Sequence, residues 1–260
     1  YPRFFARYHH LCGLSGTLSE ARRELRQCYG LDLQRVASHQ KSRMTRYPDR
    51  AFSSRKLQFT AAIRRARQMS QTGRPVLIGT DSVSDARVLA GGFARAGVKA
   101  ALLDAGTEAL EARRISKAGQ TGQITISTQI AGRGTDIQLD DFTRDAGGLH
   151  VLNLQHNRSS RIDRQMAGRA ARQGDAGTWE HWIVFDKSPY DPWSAQARAS
   201  GLHAMHRQIV RLMGKTGTTR LLVKLMQQLW QWQDRSQRYA RLRADIRSSE
   251  SLQVSTMKHL

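Results

Sequence analysis

Short apolar runs alternate with amphipathic stretches over about the first 190 residues, and this alternation constrains the fold more than any other feature. Four of the runs have the composition of buried strands and follow glycine turn signals: Val76 to Ile78, Ala100 to Leu103, Ile124 to Ile126 and Leu149 to Leu154. The stretches with helical periodicity are Phe59 to Ser70, Asp85 to Arg95 and Glu108 to Ala118. We expect Ser84 and Thr107 to cap the second and third of these helices. The alternation predicts βαβ units, and therefore an α/β fold with a parallel sheet flanked by helices.

The pattern changes after about Pro192, where glycine and strand signals become rare. One apolar stripe at helical spacing is typical of a helix packed on another helix, and it comprises Leu222, Leu225, Met226, Leu229 and Trp232. We therefore expect two units: an α/β domain over residues 1–192 and an α-helical extension over residues 193–260 that ends in a mobile tail.

The charge and cysteine content narrow the classes of partner and of site. The 260 residues include 42 Lys and Arg against 21 Asp and Glu, which gives a formal net charge of +21. This excess favours anionic partners such as nucleic acid, acidic lipid or phosphate ligands, without choosing among them. No apolar run reaches the roughly 20 residues that span a bilayer. Because Cys12 and Cys28 form neither a disulfide framework nor a zinc-ligand spacing, we expect a reducing compartment and no structural metal.

Three loops combine glycine with hydroxyl or charged side chains, and we expect each to follow a strand. They are Leu14-Ser15-Gly16-Thr17, Gly79-Thr80-Asp81-Ser82 and the segment from Thr128 to Asp136. Ligands of open α/β sheets bind at the carboxyl ends of the strands, so the loops are predicted to converge there. Glycine lets the backbone approach a ligand closely, and Thr135 and Asp136 are suited to hold a ribose or to orient a neighbouring loop.

An arginine-rich element extends from Arg161 to Asp175. Arg169 and Arg172 are three residues apart, so on a helix they would share one face, which Gln165 would join one turn earlier. Two guanidinium groups directed at one point suit a phosphate whose negative charge grows during transfer. A solvated basic helix end is the alternative, and this element alone does not decide between the two.

Taken in order, these motifs resemble the second RecA-like domain of superfamily 2 motor ATPases, which are P-loop NTPases. More narrowly, they resemble the SecA family, whose members drive preproteins through the bacterial translocon. The similar pieces cover roughly residues 4–185 and are Leu14 to Thr17, Pro75 to Thr80, Ala131 to Ile137, Gly147 to His150, Arg161 to Asp163, Gly168-Arg169 and Arg172 to Gly177. The pieces from Gly147 to His150 and from Arg172 to Gly177 separate the SecA family from ordinary helicases.

The resemblance implies roles for single residues. The residues implied to face bound nucleotide are Gly16, Thr17, Gly132, Arg133, Gly134, Thr135 and Asp136, with Asp136 near the ribose. Arg169 and Arg172 would act as arginine fingers to the γ-phosphate, and Gln165 would couple them to the partner domain. The implied cofactor is ATP or ADP with Mg²⁺, and the metal would be held mainly by another domain.

The chain departs from the SecA pattern at several positions, which indicates a divergent or accessory member. Where the family usually has Glu-Arg-His, this sequence has Gln155-His156-Asn157. Gln129, Ala167 and Ala171 stand where Asn, Arg and Gly are usual, and Lys187-Ser188-Pro189 replaces an acidic pair.

A P-loop is absent from the sequence, since that motif requires G-x-x-x-x-G-K-[ST] between a strand and a helix. Gly214-Lys215-Thr216 has Ile209 in place of the first glycine and follows a helical run. No Asp-Glu pair follows a strand to complete a magnesium site. We therefore expect this chain to supply half of an ATPase site and to be inactive alone, with the P-loop half upstream of Tyr1.

Three functions fit these features. The first is the C-terminal motor half of a SecA-like ATPase that couples ATP hydrolysis to protein translocation across the bacterial inner membrane. Its partners would be an upstream P-loop motor domain, the translocon, a secretory preprotein and an anionic membrane surface, with a location that is cytoplasmic and peripheral at the inner membrane.

The second function is a superfamily 2 nucleic-acid helicase or remodelling ATPase, which the net charge favours. The third is a basic regulatory or membrane-surface module without catalysis. No aromatic base-stacking element lies between the motifs, and this counts against a helicase. Arg169 and Arg172 count against loss of catalysis, so the translocation motor is the preferred hypothesis.

Overall fold

The computed structural model describes residues 8–52, 54–103, 115, 117–128, 136–155, 157 and 160–184. The predicted helical extension at 193–260, the cap Thr107 and most of the predicted helix from Glu108 to Ala118 lie outside the described residues.

Seven strands within the described residues form one sheet in which every pairing is parallel. They are β1 (Arg43–Arg46), β2 (Arg50–Phe52), β3 (Val76–Thr80), β4 (Ala101–Leu103), β5 (Ile124–Thr128), β6 (Leu149–Asn153) and β7 (Ala176–Val184). The strand order is β1-β7-β6-β3-β5-β4, and β2 also pairs with β7. All four predicted strands are confirmed as β3, β4, β5 and β6, whereas β1, β2 and β7 were not predicted. This parallel sheet with flanking helices is a RecA-like fold.

The described helices are α1 (Arg22–Tyr29), α2 (Arg55–Gln71), α3 (Val83–Arg95), α4 (Asp141–Asp145) and α5 (Ser160–Ala167). The helices predicted from Phe59 and Asp85 are confirmed as α2 and α3. Ser84 is not the cap of α3. Ser82 has extended backbone and its hydroxyl accepts the Asp85 N–H at 3.0 Å, so the helix begins two residues earlier than predicted. None of the helices in these ranges is long and apolar enough to cross a membrane.

Two apolar clusters lie against the sheet and hold the helices in place. The larger joins the sheet to α2 and α3 and includes Phe59, Ile78, Phe93, Ile126 and Trp182. The smaller joins it to α5 and includes Leu77, Val151, Met166, Ala167, Ala170 and Trp179. Adjacent residues of β3 belong to different clusters, as expected for a strand with both faces covered.

The pair Gly147-Gly148 turns the chain into β6. Gly148 has φ +68°, which L side chains rarely adopt, and a Cβ there would overlap the carbonyl oxygen of Ala176. Position 148 therefore requires glycine, because its backbone lies directly against the start of β7 and leaves no room for a side chain.

A buried polar cluster lies beneath this turn. His150 is fully buried, with Nδ1 2.7 Å from the Thr178 hydroxyl, and Arg74 donates to the same hydroxyl at 2.7 Å. Burial lowers the pKa of His150 to about 3, and the positive charges of Arg74 and Arg65 act in the same direction. Glu180 lies 3.8 Å from His150 Nε2 but is already paired with Arg65, so it does not reverse the shift. The imidazole is therefore neutral in the folded protein.

The neutral imidazole predicts that stability falls in mild acid. An unfolded histidine takes up a proton below about pH 6.5, whereas His150 in the fold does so only near pH 3. The stabilisation is present above pH 6.5 and is lost as the pH falls. From pH 7 to pH 5 the free energy of unfolding should decrease by about 2 kcal/mol through this residue. Urea unfolding at both pH values measures the decrease, which should be smaller by this amount in His150→Asn. An equal decrease in the two proteins would mean that His150 does not cause it.

Candidate functional site

Arg169 and Arg172 lie on the turn that joins α5 to β7 and do not share an α-helix. Arg172 begins a short 3-10 turn, Arg172–Gly174. Because α5 ends at Ala167, the prediction that the two arginines share a helical face is wrong. The chain then takes positive φ angles, 53° at Ala171 and 52° at Gln173. Such angles are uncommon for residues with a side chain and cost about 1 kcal/mol or more each. We call residues 168–174 the finger turn.

The turn holds Arg172 against an acidic side chain. Arg172 Nη1 donates to Asp136 Oδ1 at 2.5 Å, and its Nε donates to the carbonyl of Gly168 at 2.9 Å. Gln173 Nε2 donates to Asp136 Oδ2 at 3.2 Å, and the Ile137 N–H donates to Oδ1 at 3.1 Å. The Arg172 side chain is still 40% exposed. The guanidinium is therefore accessible, and it binds an oxyanion in the observed contact.

The other predicted site residues are divided between α5 and its surroundings. Gln165 is exposed on α5, and Arg169 is half-buried just beyond its end. Thr17 lies beside α5, because Arg164 Nη2 donates to its carbonyl at 3.4 Å. Residues 8–13, ahead of Gly16, do not form a strand, so the expectation that this loop follows one is not met by the described residues. Gly132, Arg133, Gly134 and Thr135 lie outside the described residues, as does Gln129.

The second loop does follow a strand, at the end of β3. Thr80 pairs with Thr128 of β5, so this loop lies beside the start of the third loop as predicted. Asp81 accepts from Arg55 at 3.0 Å, and Asp85 lies 3.6 Å from the same guanidinium. Arg55 therefore offsets the acidic charge at this edge of the sheet. The other end of the third loop, Asp136, lies at the finger turn.

A network of buried amides was not predicted, and it connects the end of β3 to α5. Gln155 Nε2 donates to the Thr80 carbonyl at 3.0 Å, and Asn157 Nδ2 donates to Gln155 Oε1 at 3.1 Å. Asn157 Nδ2 also donates to Asp163 Oδ1 at 2.7 Å, and Asn153 Nδ2 donates to the same oxygen at 3.2 Å. The signal in the sequence was the departure from the family pattern at Gln155 and Asn157. The sequence alone could not show that these two amides are hydrogen-bonded to each other.

The donor set of this site suits a phosphate better than a metal ion. Among the described residues, no group of three or more His, Cys, Asp or Glu side chains is placed to hold a metal. Arg172 binds the Asp136 carboxylate through Nη1 alone, and a guanidinium binds phosphate oxygens by the same kind of charged hydrogen bond. The described residues therefore fit the phosphate part of a nucleotide.

Comparison with known proteins identifies the family. A family model described as the SecA P-loop domain matches residues 42–144 and 140–191. The chain is 44% identical over 191 residues to protein translocase subunit SecA 2 of Bordetella avium, covering 74% of this chain and 29% of the relative. For SecA 2 of Magnetococcus marinus the identity is 42% over 178 residues, covering 68% of this chain and 27% of the relative.

A third relative, SecA 2 of Chlorobium chlorochromatii, is 36% identical over 245 residues, covering 94% of this chain and 37% of the relative. Among solved structures, the chain is similar to Escherichia coli DEAD-box protein SrmB, with a TM-score of 0.45 and 17% identity, covering 56% of this chain and 79% of that one. The chain spans between 27% and 37% of the length of these three SecA 2 relatives. From the family match over more than half of its residues, the chain belongs to the SecA family.

Proposed function

We propose that residues 1–192 form the second motor domain of a SecA-like ATPase, and that residues 193–260 begin its helical scaffold. In this proposal the chain supplies Arg172 and Arg169 as arginine fingers to a nucleotide held by a separate P-loop domain. The observation that carries the proposal is the partly exposed Arg172 guanidinium, held by its Nε bond to the Gly168 carbonyl and by the Asp136 carboxylate.

The chemistry follows from where negative charge grows. As the γ-phosphoryl group transfers, charge accumulates on its oxygens, and a pre-positioned guanidinium stabilises that state more than the ground state. Arg172 must leave Asp136 to make this contact, and the freed Asp136 carboxylate is then available for the ribose. Gln165, exposed on α5, would transmit contact with the P-loop domain to the finger turn.

The nucleotide would be held from this side by the segment from Gly132 to Asp136, with Gly16 and Thr17 nearby. ATP with Mg²⁺ supplies the phosphoryl group and the ion that neutralises its developing charge. Because the described residues contain no carboxylate cluster, we assign the metal to the P-loop domain. The task of this chain is then to bring positive charge to the phosphate and to help exclude water.

The partners in this proposal are those of a translocation motor. A net charge of +21 suits an anionic membrane surface beside a translocon, and the cargo would be a secretory preprotein. In this proposal the protein acts in the cytoplasm, peripheral at the inner membrane. The same charge also suits nucleic acid, which makes a superfamily 2 helicase or remodelling ATPase the second candidate.

The two candidates differ in what stimulates ATP turnover by the complete motor, meaning this chain joined to its P-loop domain. For a translocation motor, turnover should rise severalfold when anionic vesicles and an unfolded secretory polypeptide are added together, and vesicle binding should weaken with salt. Single-stranded RNA, and neutral vesicles with the same polypeptide, are the matched controls and should leave the rate unchanged. Stimulation by RNA alone, with a steep salt dependence, would favour the helicase instead.

A further inference from the structure

The amide network is buried, and its hydrogen bonds connect the end of β3 to α5. Asn153, Gln155 and Asn157 are 0%, 1% and 2% exposed, so their side chains are held by each other and not by solvent. The backbone is tied into the same network, because the Gln155 N–H donates to Asn153 Oδ1 at 3.1 Å and His181 Nε2 lies 3.1 Å from the Gln155 carbonyl oxygen. One set of hydrogen bonds therefore connects three elements. It reaches β3 at Thr80, β7 at His181 and α5 at Asp163.

The link ends on the helix that leads to the finger turn. Asp163 is in the first turn of α5, and its Oδ1 accepts from both Asn153 and Asn157. At the other end of α5, Met166 and Ala167 are buried in the smaller apolar cluster. Packing thus fixes one face of α5. The Asp163 carboxylate, through its two hydrogen bonds, fixes the rotation of α5 and the position of α5 along the helix axis. The finger turn starts one residue after α5 ends, so a movement of α5 moves Arg172.

We propose that Gln155, Asn157 and Asp163 are positioning residues for Arg172. The inference rests on the proposed finger role of Arg172 and adds how the end of β3 sets the position of the finger. Misplacement of a catalytic group by about 1 Å costs about 10²-fold in rate. Loss of this network should therefore lower the rate of the chemical step without removing any group that touches the nucleotide.

The side-chain types in the network suit this role. Asp163 brings one negative charge to a partly buried position, and the amides of Asn153 and Asn157 donate to it without adding charge. A second carboxylate at position 157 would lie within hydrogen-bond distance of Asp163, and two carboxylates that close cannot both be ionised without strong repulsion. The network therefore tolerates one acidic group. Moving that group from position 163 to position 157 removes the repulsion but loses the donation to Gln155 Oε1.

The test is a reciprocal exchange in the complete motor. Asn157→Asp should lower kcat by about 10- to 100-fold while the Kd of a non-hydrolysed ATP analogue changes by less than about 3-fold. Asp163→Asn alone should have a smaller effect, because the asparagine oxygen still accepts both amide donors. In the double variant the amide introduced at position 163 can donate to the carboxylate introduced at position 157, which removes the repulsion. Position 157 still cannot donate to Gln155 Oε1, so kcat should recover only in part, to severalfold above that of Asn157→Asp alone.

Two further variants serve as a control and as a substitute. Gln123 is a partly buried amide that donates to the carbonyl of Ile124 at 3.0 Å, ahead of β5 and therefore at the opposite end of the strands from Thr80. Gln123→Glu matches the change of amide to carboxylate and should leave kcat within about 2-fold. If Asn157→Asp does not fold, Asn157→Leu takes its place, since it removes the donor without adding charge, and it should lower kcat by about 10-fold.

The outcomes separate this inference from the proposed function. An Asn157 variant that folds and keeps full kcat overturns the positioning role, and so does a folded double variant that stays as slow as Asn157→Asp. Arg172→Ala is measured in parallel. If that substitution leaves turnover unchanged, the finger proposal itself fails. If it abolishes turnover while the Asn157 variants remain active, only the positioning inference fails.

Discussion

Arg172→Ala in the complete motor should lower ATP turnover by about 10³-fold or more while nucleotide affinity changes by less than about 3-fold. The reason is that Arg172 is expected to contact the γ-phosphate in the transition state and not in the ground state. In the observed contact Arg172 binds Asp136, so the finger contributes little to binding ground-state nucleotide and most to stabilising charge that develops later. Arg169→Ala is expected to follow the same pattern. Steady-state turnover and titration with a non-hydrolysed ATP analogue measure the two quantities separately.

The matched control for this substitution is Arg144→Ala. Arg144 is 45% exposed, close to the 40% of Arg172, and it also pairs with carboxylates, at 2.7 Å to Asp141 and 3.2 Å to Asp175. Removing it should leave turnover unchanged, because partly exposed ion pairs contribute about 1 kcal/mol or less and Arg144 has no proposed role in the site. Equal losses of affinity and turnover in Arg172→Ala would indicate a structural role for Arg172.

The strands predicted from the sequence are short runs that begin or end on apolar residues and follow a glycine turn signal. β3 and β6 are buried at all five positions and β5 at four of five, because in a parallel sheet helices cover both faces. The predicted β4 is buried only at its last position. β1 carries two arginines and is exposed at all four positions, so it has no apolar pattern to detect. β7 is almost wholly buried yet includes Glu180 and His181, whose partners come from distant parts of the chain. These polar residues interrupt the apolar pattern of β7, so this interior strand was not predicted from the sequence.

The sequence singled out Arg169 and Arg172, but it did not predict their geometry. The spacing of Arg169 and Arg172 suggested a helical face, because residues three apart share a face only while the helix continues. Gly168 directly after Ala167 is a local signal for the end of α5, and the helical reading of the arginine spacing overlooked it. Ala171 and Gln173 then adopt positive φ angles that glycine usually takes, and no residue type there marks them. The contact of Arg172 with Asp136 joins residues 36 positions apart, and side-chain partners of that kind depend on the assembled sheet.

ATP turnover by this chain on its own is the most direct test of whether it holds only half of an ATP site. The purified chain should show no turnover above background, because γ-phosphate transfer needs P-loop backbone contacts and a Mg²⁺ site that its sequence lacks. Joined to a P-loop domain, the same chain should reach the roughly 1 s⁻¹ or more that is typical of enzymes, and Arg172→Ala should abolish the gain. Turnover at roughly 1 s⁻¹ by the chain alone would contradict the half-site assignment, as would a joined motor whose rate does not depend on Arg172.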